Sequence, residues 1–182
     1  MTVDEFLVWS EDQPGRYELI DGVPIRMQAE SSRHAVVKLS VVQSLGEAIA
    51  KASLRCTAFT DGMTVRIDDD FSYEPDAVVS CSDGTGPDSV EVADPVIVVE
   101  VLSPGSANTD RTAKLAGYAK VASIRHYLVV DPSRKLVVHH KLSHSDVIET
   151  RILHGGDLEL DPPGITVSVA SFFEPRPGFG LR

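Results

Sequence analysis

Cysteine is scarce: Cys56 and Cys81 are the only two, far apart and without a CxxC pair. That excludes a zinc ribbon and argues against a disulfide scaffold. Two buried small hydrophobes in a reducing compartment are expected instead. No apolar run approaches the roughly 18 residues a membrane-crossing helix needs, so no membrane association is expected. The opening Met1-Thr2-Val3-Asp4-Glu5 lacks the basic stretch of a signal peptide, which points to the cytoplasm. Basic residues are outnumbered, 17 against 27 acidic, for a net charge of −10. Nucleic-acid binders usually carry a basic footprint. Any DNA contact must therefore use a local cluster, a metal, or a basic surface completed by a second subunit. GxxxxGK[ST], HExxH, GxSxG and GxGxxG are all missing, which removes the chemistries they carry. Asp68-Asp69-Asp70 lacks the glycine and terminal glutamate of an EF-hand and reads as a solvated turn.

What is present is ordinary globular material, 42% hydrophobic and 24% charged over 182 residues. That length suits one domain with a real core, spanning 1–182, and no repeat or linker marks a second. Thr2 to Glu5 fits a capping box for a short helix ending near Ser10. Arg16 to Ile20, Asp21-Gly22 and Val23 to Gln28 form a hairpin signal. Ser31 or Ser32 caps a long helix running to about Ala52. Ala35, Leu39, Val42, Leu45, Ile49 and Ala52 recur along it at helical spacing. Strands are expected at Arg55 to Phe59, Met63 to Ile67 and Asp76 to Ser80, with a polar loop from Cys81 to Asp94.

The organising stretch is Pro95 to Pro104, a β-branched run bounded by prolines. Such a run reads as a strand covered on both faces. Alternation puts Val96, Val98, Glu100 and Leu102 on one face. A carboxylate there needs a partner, a hydrogen bond or a metal. Residues 105–109 make a loop ending in cap residues, and a helix follows with Asp110 in its first turn and Lys114, Leu115, Tyr118 and Val121 along it. His126 to Val130, closed by Asp131-Pro132, completes a strand–helix–strand unit with parallel strands. The rest looks antiparallel: Leu136 to Lys141, Val147 to Leu153, Asp157 to Leu160, Thr166 to Val169, then a helical turn holding Phe172 and Phe173.

Asp76, Glu100 and Lys114 stand out together. Two carboxylates on neighbouring strands suit one Mg²⁺ or Mn²⁺, which prefers oxygen ligands. A lysine beside them can orient or deprotonate a water and stabilise charge growing on a phosphate. That is the minimal kit for metal-assisted phosphodiester hydrolysis.

Five stretches in order, Tyr17-Glu18-Leu19-Ile20-Asp21-Gly22, Glu74-Pro75-Asp76, Val99-Glu100-Val101-Leu102-Ser103-Pro104, Asp110-x-x-x-Lys114-x-x-x-Tyr118 and His126 to Pro132, resemble the Uma2 family of the PD-(D/E)XK nuclease superfamily. The resemblance covers nearly the whole chain. It implies an α/β (α+β), restriction-endonuclease-like fold, a mixed curved β-sheet flanked by helices, and a metal-dependent endonuclease acting on DNA. By position, Asp76 would be the Asp of "PD" and Glu100 the acidic residue of "(D/E)XK", the two holding the metal. The motif's lysine position falls on Leu102, so the resemblance points to Lys114 on the following helix as the lysine. Glu18 resembles the family's N-terminal glutamate, an additional metal or supporting group. His34 and Lys38, one turn apart, could reach a phosphate.

Each residue also has a plainer role. Lys114 could pair with Asp110 one turn away. Glu18 could be a surface charge of the hairpin and His34 a surface residue of the helix N-terminus. Tyr118 and Tyr127 read as core-edge aromatics. His139 and His140 face opposite ways and form no ligand pair. A catalytically degenerate nuclease-fold module that binds nucleic acid or a protein partner is the competing function, and a nuclease acting on RNA or structured DNA is a third. A homodimer is expected from fold analogy alone.

Overall fold

The structure is a computed structural model that describes residues 1–103, 110–143, 147–174 and 177–179. The expected loop at 105–109 and Pro104 lie outside the described residues. Helix α1, Val3–Glu11, starts at the anticipated capping box, in which Thr2 and Glu5 satisfy each other's backbone amides. Strands β1, Tyr17–Ile20, and β2, Val23–Arg26, form the hairpin. Asp21 and Gly22 turn it with φ of 51° and 68°, the positive values a tight two-residue turn demands.

Helix α2 runs Ser32–Lys51 with Ser31 as its N-cap. Its buried stripe matches the spacing only in part, at Leu45, Ile49 and the partly buried Val42. Val37, Val41, Leu45, Ala48 and Ile49 face the core, while Ala35, Leu39 and Ala52 are exposed. Valines and leucines occur on two faces of this helix, and the one that meets the sheet wins burial.

Six strands build the main sheet in the order β10-β9-β8-β7-β6-β3. They are β3, Thr57–Thr60, then β6, Ala77–Ser80, β7, Pro95–Val101, β8, His126–Asp131, β9, Leu136–Lys141, and β10, Glu149–Leu153. β7 and β8 are parallel, joined through α3, Asp110–Tyr118, and the other neighbours are antiparallel. This is the expected strand–helix–strand unit inside a mixed sheet. Alternation along β7 divides two cores. Ile97, Val99 and Val101 pack with α2, while Val98 and Leu102 pack with Tyr73, Tyr118 and Tyr127.

The remaining strands do not join that sheet. β4, Val65–Arg66, and β5, Ser72–Tyr73, pair with the hairpin in a four-stranded sheet ordered β2-β1-β5-β4. β11, Asp157–Leu160, and β12, Ile165–Ser168, pair with each other, followed by a 3-10 turn over Val169–Phe172 that buries Phe172. β5, two residues beside the Asp68–Asp70 turn, is too short to leave a periodic signal.

The cysteine expectation is overturned. Cys56 and Cys81 form a disulfide, and Cys81 is exposed. β3 and β6 are antiparallel with Thr57 opposite Ser80, so the residues just outside this pair lie side by side. Sequence distance hid a cross-strand neighbour. No helix among the described residues is long and apolar enough to cross a membrane.

Candidate functional site

The C-terminal end of β7 opens into a cleft of about 480 Å³. Its walls come from β1, β2, the N-terminal turn of α2, the approach to β6, and α3. Glu18, Glu30, His34, Glu74, Asp76, Glu100 and Lys114 all line it. All five candidate residues therefore share one cavity, although they lie on separate elements.

Two linked clusters occupy the cleft. In the first, Lys114 reaches from α3 between two carboxylates. Its Nζ donates to Glu18 Oε1 at 2.8 Å and to Glu100 Oε1 at 3.0 Å. Glu18 can be there because Leu19 takes the buried side of β1, which turns Glu18 the other way. The backbone amide of Glu74 holds the same Glu18 oxygen at 3.0 Å. Tyr118, one turn after Lys114, donates its hydroxyl to Glu100 Oε1 at 2.8 Å. Burial pushes the Glu100 carboxyl up to about 7, against the pull of Lys114; Glu18 and Asp76 raise it further, and the Tyr118 hydroxyl lowers it.

In the second cluster, Asp76 Oδ2 accepts the Val101 amide at 2.7 Å and lies 3.1 Å from His34 Nε2. The other ring nitrogen of His34 is 3.1 Å from Glu30 Oε2. Burial disfavours the imidazolium, but the hydrogen bond to Asp76 and the charges of Asp76 and Glu30 outweigh it and raise the His34 pKa. Lys38, buried one turn later, donates to Glu30 at 2.6 Å and Asp61 at 2.9 Å and lies 4.0 Å from Asp76. Arg16 closes the row, bonding Asp61 and Glu74, the latter at 2.9 Å.

The plain readings of Glu18 and His34 as surface groups fail here. Lys114 is held by Glu18 and Glu100; the Asp110 side chain lies outside what the structure describes. Glu18 is not a hairpin surface charge, and His34, with 11% of its side chain exposed, is not a surface residue. Tyr118 is fully buried, and its hydroxyl bonds Glu100, which lines the cleft. Leu102 is partly buried against the tyrosine core, so the motif's lysine position is packing material. His139 and His140 do face opposite ways: one meets His126, the other Thr150.

The spacing Lys114-x-x-x-Tyr118 was a readable signal for the tyrosine, as Glu30-x-x-x-His34 was for the glutamate. Arg16 and Asp61 gave none, because only the fold brings them together.

The donor set suits a hard divalent cation. Six carboxylates, of Glu18, Glu30, Asp61, Glu74, Asp76 and Glu100, surround three fixed cations, of Arg16, Lys38 and Lys114. No hydrogen bond among the described residues reaches Glu100 Oε2 or Asp76 Oδ1, which leaves one oxygen on each for a metal. One donor atom from each of Glu30, His34 and Asp76 also falls within 4.8 Å of the others. Oxygen-rich sites of this kind fit Mg²⁺ or Mn²⁺.

The chain is similar to known proteins along most of its length. It is 26% identical over 171 residues to uncharacterized protein slr1290 of Synechocystis sp. (strain ATCC 27184 / PCC 6803 / Kazusa), covering 93% of this chain and 89% of that one. Uncharacterized protein sll1609 of the same organism is 25% identical over 144 residues, 78% of this chain and 80% of its own. A solved structure described as "a putative nuclease belonging to DUF820 from Anabaena variabilis ATCC 29413" superposes with a TM-score of 0.74, covering 95% of this chain and 97% of that one at 19% identity. At that identity the likeness shows the fold alone, a mixed α+β architecture. The family model named Uma2 and described as "Putative restriction endonuclease" matches residues 3–170, and the chain belongs to that family.

Proposed function

We propose that this protein is a metal-dependent endonuclease that hydrolyses phosphodiester bonds of DNA, built as one domain over 1–182, with Asp76, Glu100 and Lys114 as its catalytic centre. One observation carries the reading. Lys114 Nζ arrives 3.0 Å from Glu100 by way of α3, although Leu102 stands where the superfamily motif has its lysine. Asp76 lines the same cleft, which supports reading the three as one site.

Asp76 and Glu100 would hold a divalent ion, Mg²⁺ or Mn²⁺, with Glu18 beside them. When bound, such an ion supplies Lewis acidity toward a phosphoryl oxygen and lowers the pKa of a water. The chain's own residues do the positioning. Tyr118 and Lys114 both bond Glu100 Oε1, and no hydrogen bond among the described residues reaches its other oxygen. The Val101 amide and His34 fix Asp76 through Oδ2 in the same way. Lys114, anchored between Glu18 and Glu100, stands where it can donate to a water or a phosphate oxygen beside the carboxylates. His34 as an imidazolium and Lys38 place positive charge at the α2 side of the cleft for a neighbouring phosphate. Work on DNA fits a cytoplasmic protein, and there the exposed Cys56–Cys81 bridge would meet a reducing pool.

The test is Mg²⁺- and Mn²⁺-dependent cleavage of plasmid, single-stranded DNA and RNA by wild type, Asp76→Ala, Glu100→Ala and Lys114→Ala. Metal-dependent cutting of DNA by wild type and its loss in all three variants is the expected result. Full activity of Glu100→Ala would refute the site. No cutting and no metal binding by the wild type would favour the degenerate binding module, and cutting of RNA alone would correct the substrate.

A further inference from the structure

β10 ends the main sheet. It has β9 along one edge and no strand along the other among the described residues. Its free edge presents unpaired backbone amides and carbonyls, a ready template for another strand. Glu149 to Ile152 are all exposed, and Ile152 leaves 65% of its surface in solvent. The strand holds no proline, its pairing with β9 runs in unbroken register, and its charges, Glu149 and Arg151, are of opposite sign.

We propose that β10 pairs antiparallel with β10 of a second copy of this chain, joining two six-stranded sheets into one across a two-fold axis. The residues fix the register. An axis that continues a sheet stands perpendicular to it and keeps each side chain on its own face. Residues opposite one another must then share a face, so the axis passes through a residue. Centred on Glu149, it sets two glutamates against each other. Centred on Arg151, it sets two arginines together. Centred on Thr150, it places Glu149 opposite Arg151 of the second copy, and by symmetry does so twice. On the other face the same register puts Thr150 against Thr150 and Ile148 against Ile152, again twice. Opposite charges and β-branched pairs are the cross-strand neighbours that stabilise a sheet, and like charges there destabilise it. Of the registers centred on Glu149, Thr150 and Arg151, both faces favour the one centred on Thr150. Glu149 and Arg151 have no ion-pair partner in their own chain among the described residues, so the charges are available. Backbone pairing supplies the affinity and alternate side chains the specificity. This association is independent of the nuclease reading.

Sedimentation equilibrium in moderate salt over a concentration series tests it, with circular dichroism and melting as fold controls. Wild type should approach twice the 19.7 kDa chain mass. Arg151→Glu and Glu149→Arg should each weaken the dimer about tenfold or more, since each turns two opposite-charge pairs into two like-charge pairs. The double variant Glu149→Arg/Arg151→Glu should restore the wild-type constant, because it exchanges the charges and keeps the register. A monomeric wild type, single reversals that leave the dimer intact, or a double variant that stays dissociated would each overturn the proposal.

Discussion

Replacing Tyr118 by phenylalanine removes one hydroxyl and leaves the ring, so it isolates the bond to Glu100. That bond is 2.8 Å long and comes from a side chain with no solvent exposure. Burial holds the Glu100 carboxyl near 7, and the hydroxyl is one of the groups keeping it from rising further. A hydrogen bond to a charged acceptor contributes about 1.5 kcal/mol or more, and about 1.4 kcal/mol corresponds to one pKa unit. Tyr118→Phe should therefore raise the Glu100 pKa by about one unit. A metal must displace that proton, so affinity falls about tenfold per pH unit below the pKa. The assay is Mn²⁺ titration calorimetry on both proteins across the pH range that brackets this group. The midpoint of the affinity profile should move to higher pH by about one unit in the variant. Coincident profiles, or a shift to lower pH, would refute the reasoning that Glu100 is both a ligand and tuned by Tyr118. The same raised pKa sets the stability trend. Folded Glu100 binds its proton more tightly than unfolded, so its contribution is full below the unfolded value and is lost as pH rises through about 7, about 3 kcal/mol in all.

Two further outcomes are expected. His126 and His139, buried with Nδ1 of the first 2.9 Å from Nε2 of the second, are held near 4 by burial first and then by nearby positive charge. Unfolded histidine binds protons from about 6.5 downward, so urea stability should fall between there and about 4 by about 1.4 kcal/mol per pH unit for the first site. His139→Leu should flatten that slope, and an unchanged slope would assign the acid lability elsewhere. At Gly117 a β-carbon would stand 2.7 Å from Tyr73 Cε2, and the Tyr73 ring lies under Lys114 Nζ at 5.3 Å. Gly117→Ala should cost about 2 kcal/mol in urea unfolding and reduce cleavage by displacing the lysine, whereas wild-type stability would show that α3 yields freely.

Local signals were legible where one element decided them. The capping box at Thr2, the turn at Asp21-Gly22, the span of α2 and the parallel pair flanking α3 follow from periodicity and cap chemistry. What escaped depends on tertiary neighbours. Apart from β5, strands were legible as strands, yet nothing in β1 or β2 says that they leave the main sheet to join β4 and β5. Leu39 and Val41 look equivalent in a sequence, and only the sheet's position buries one of them. Cys56 and Cys81 become neighbours only when β3 and β6 pair. In the site, Asp76, Glu100 and Lys114 could be named from chemistry and family resemblance. The Val101 amide that holds Asp76 and the Arg16–Asp61 pair in the neighbouring cluster could not, since contacts spanning 25 and 45 residues leave no spacing rule.

The acidity of the chain and the design of the cleft belong together. An acidic protein that approaches a phosphate backbone needs a local cation, and this cleft has three fixed ones. Each is already tied to carboxylates of its own chain: Arg16 to Asp61 and Glu74, Lys38 to Glu30 and Asp61, Lys114 to Glu18 and Glu100. Against six carboxylates these three, with Arg26 in the cleft wall and His34 when protonated, still leave a net negative charge. Burial first, and then the Glu18 and Asp76 charges, raise the Glu100 carboxyl. A divalent ion relieves that repulsion and provides the positive charge a phosphate needs, so a single binding event would answer both problems. The lysine then serves better on α3 than at position 102. On the strand it would be fixed beside Glu100 by the pleat. From the helix it can lean on Glu18 and Glu100 together, and Leu102 is left to pack the core beneath them.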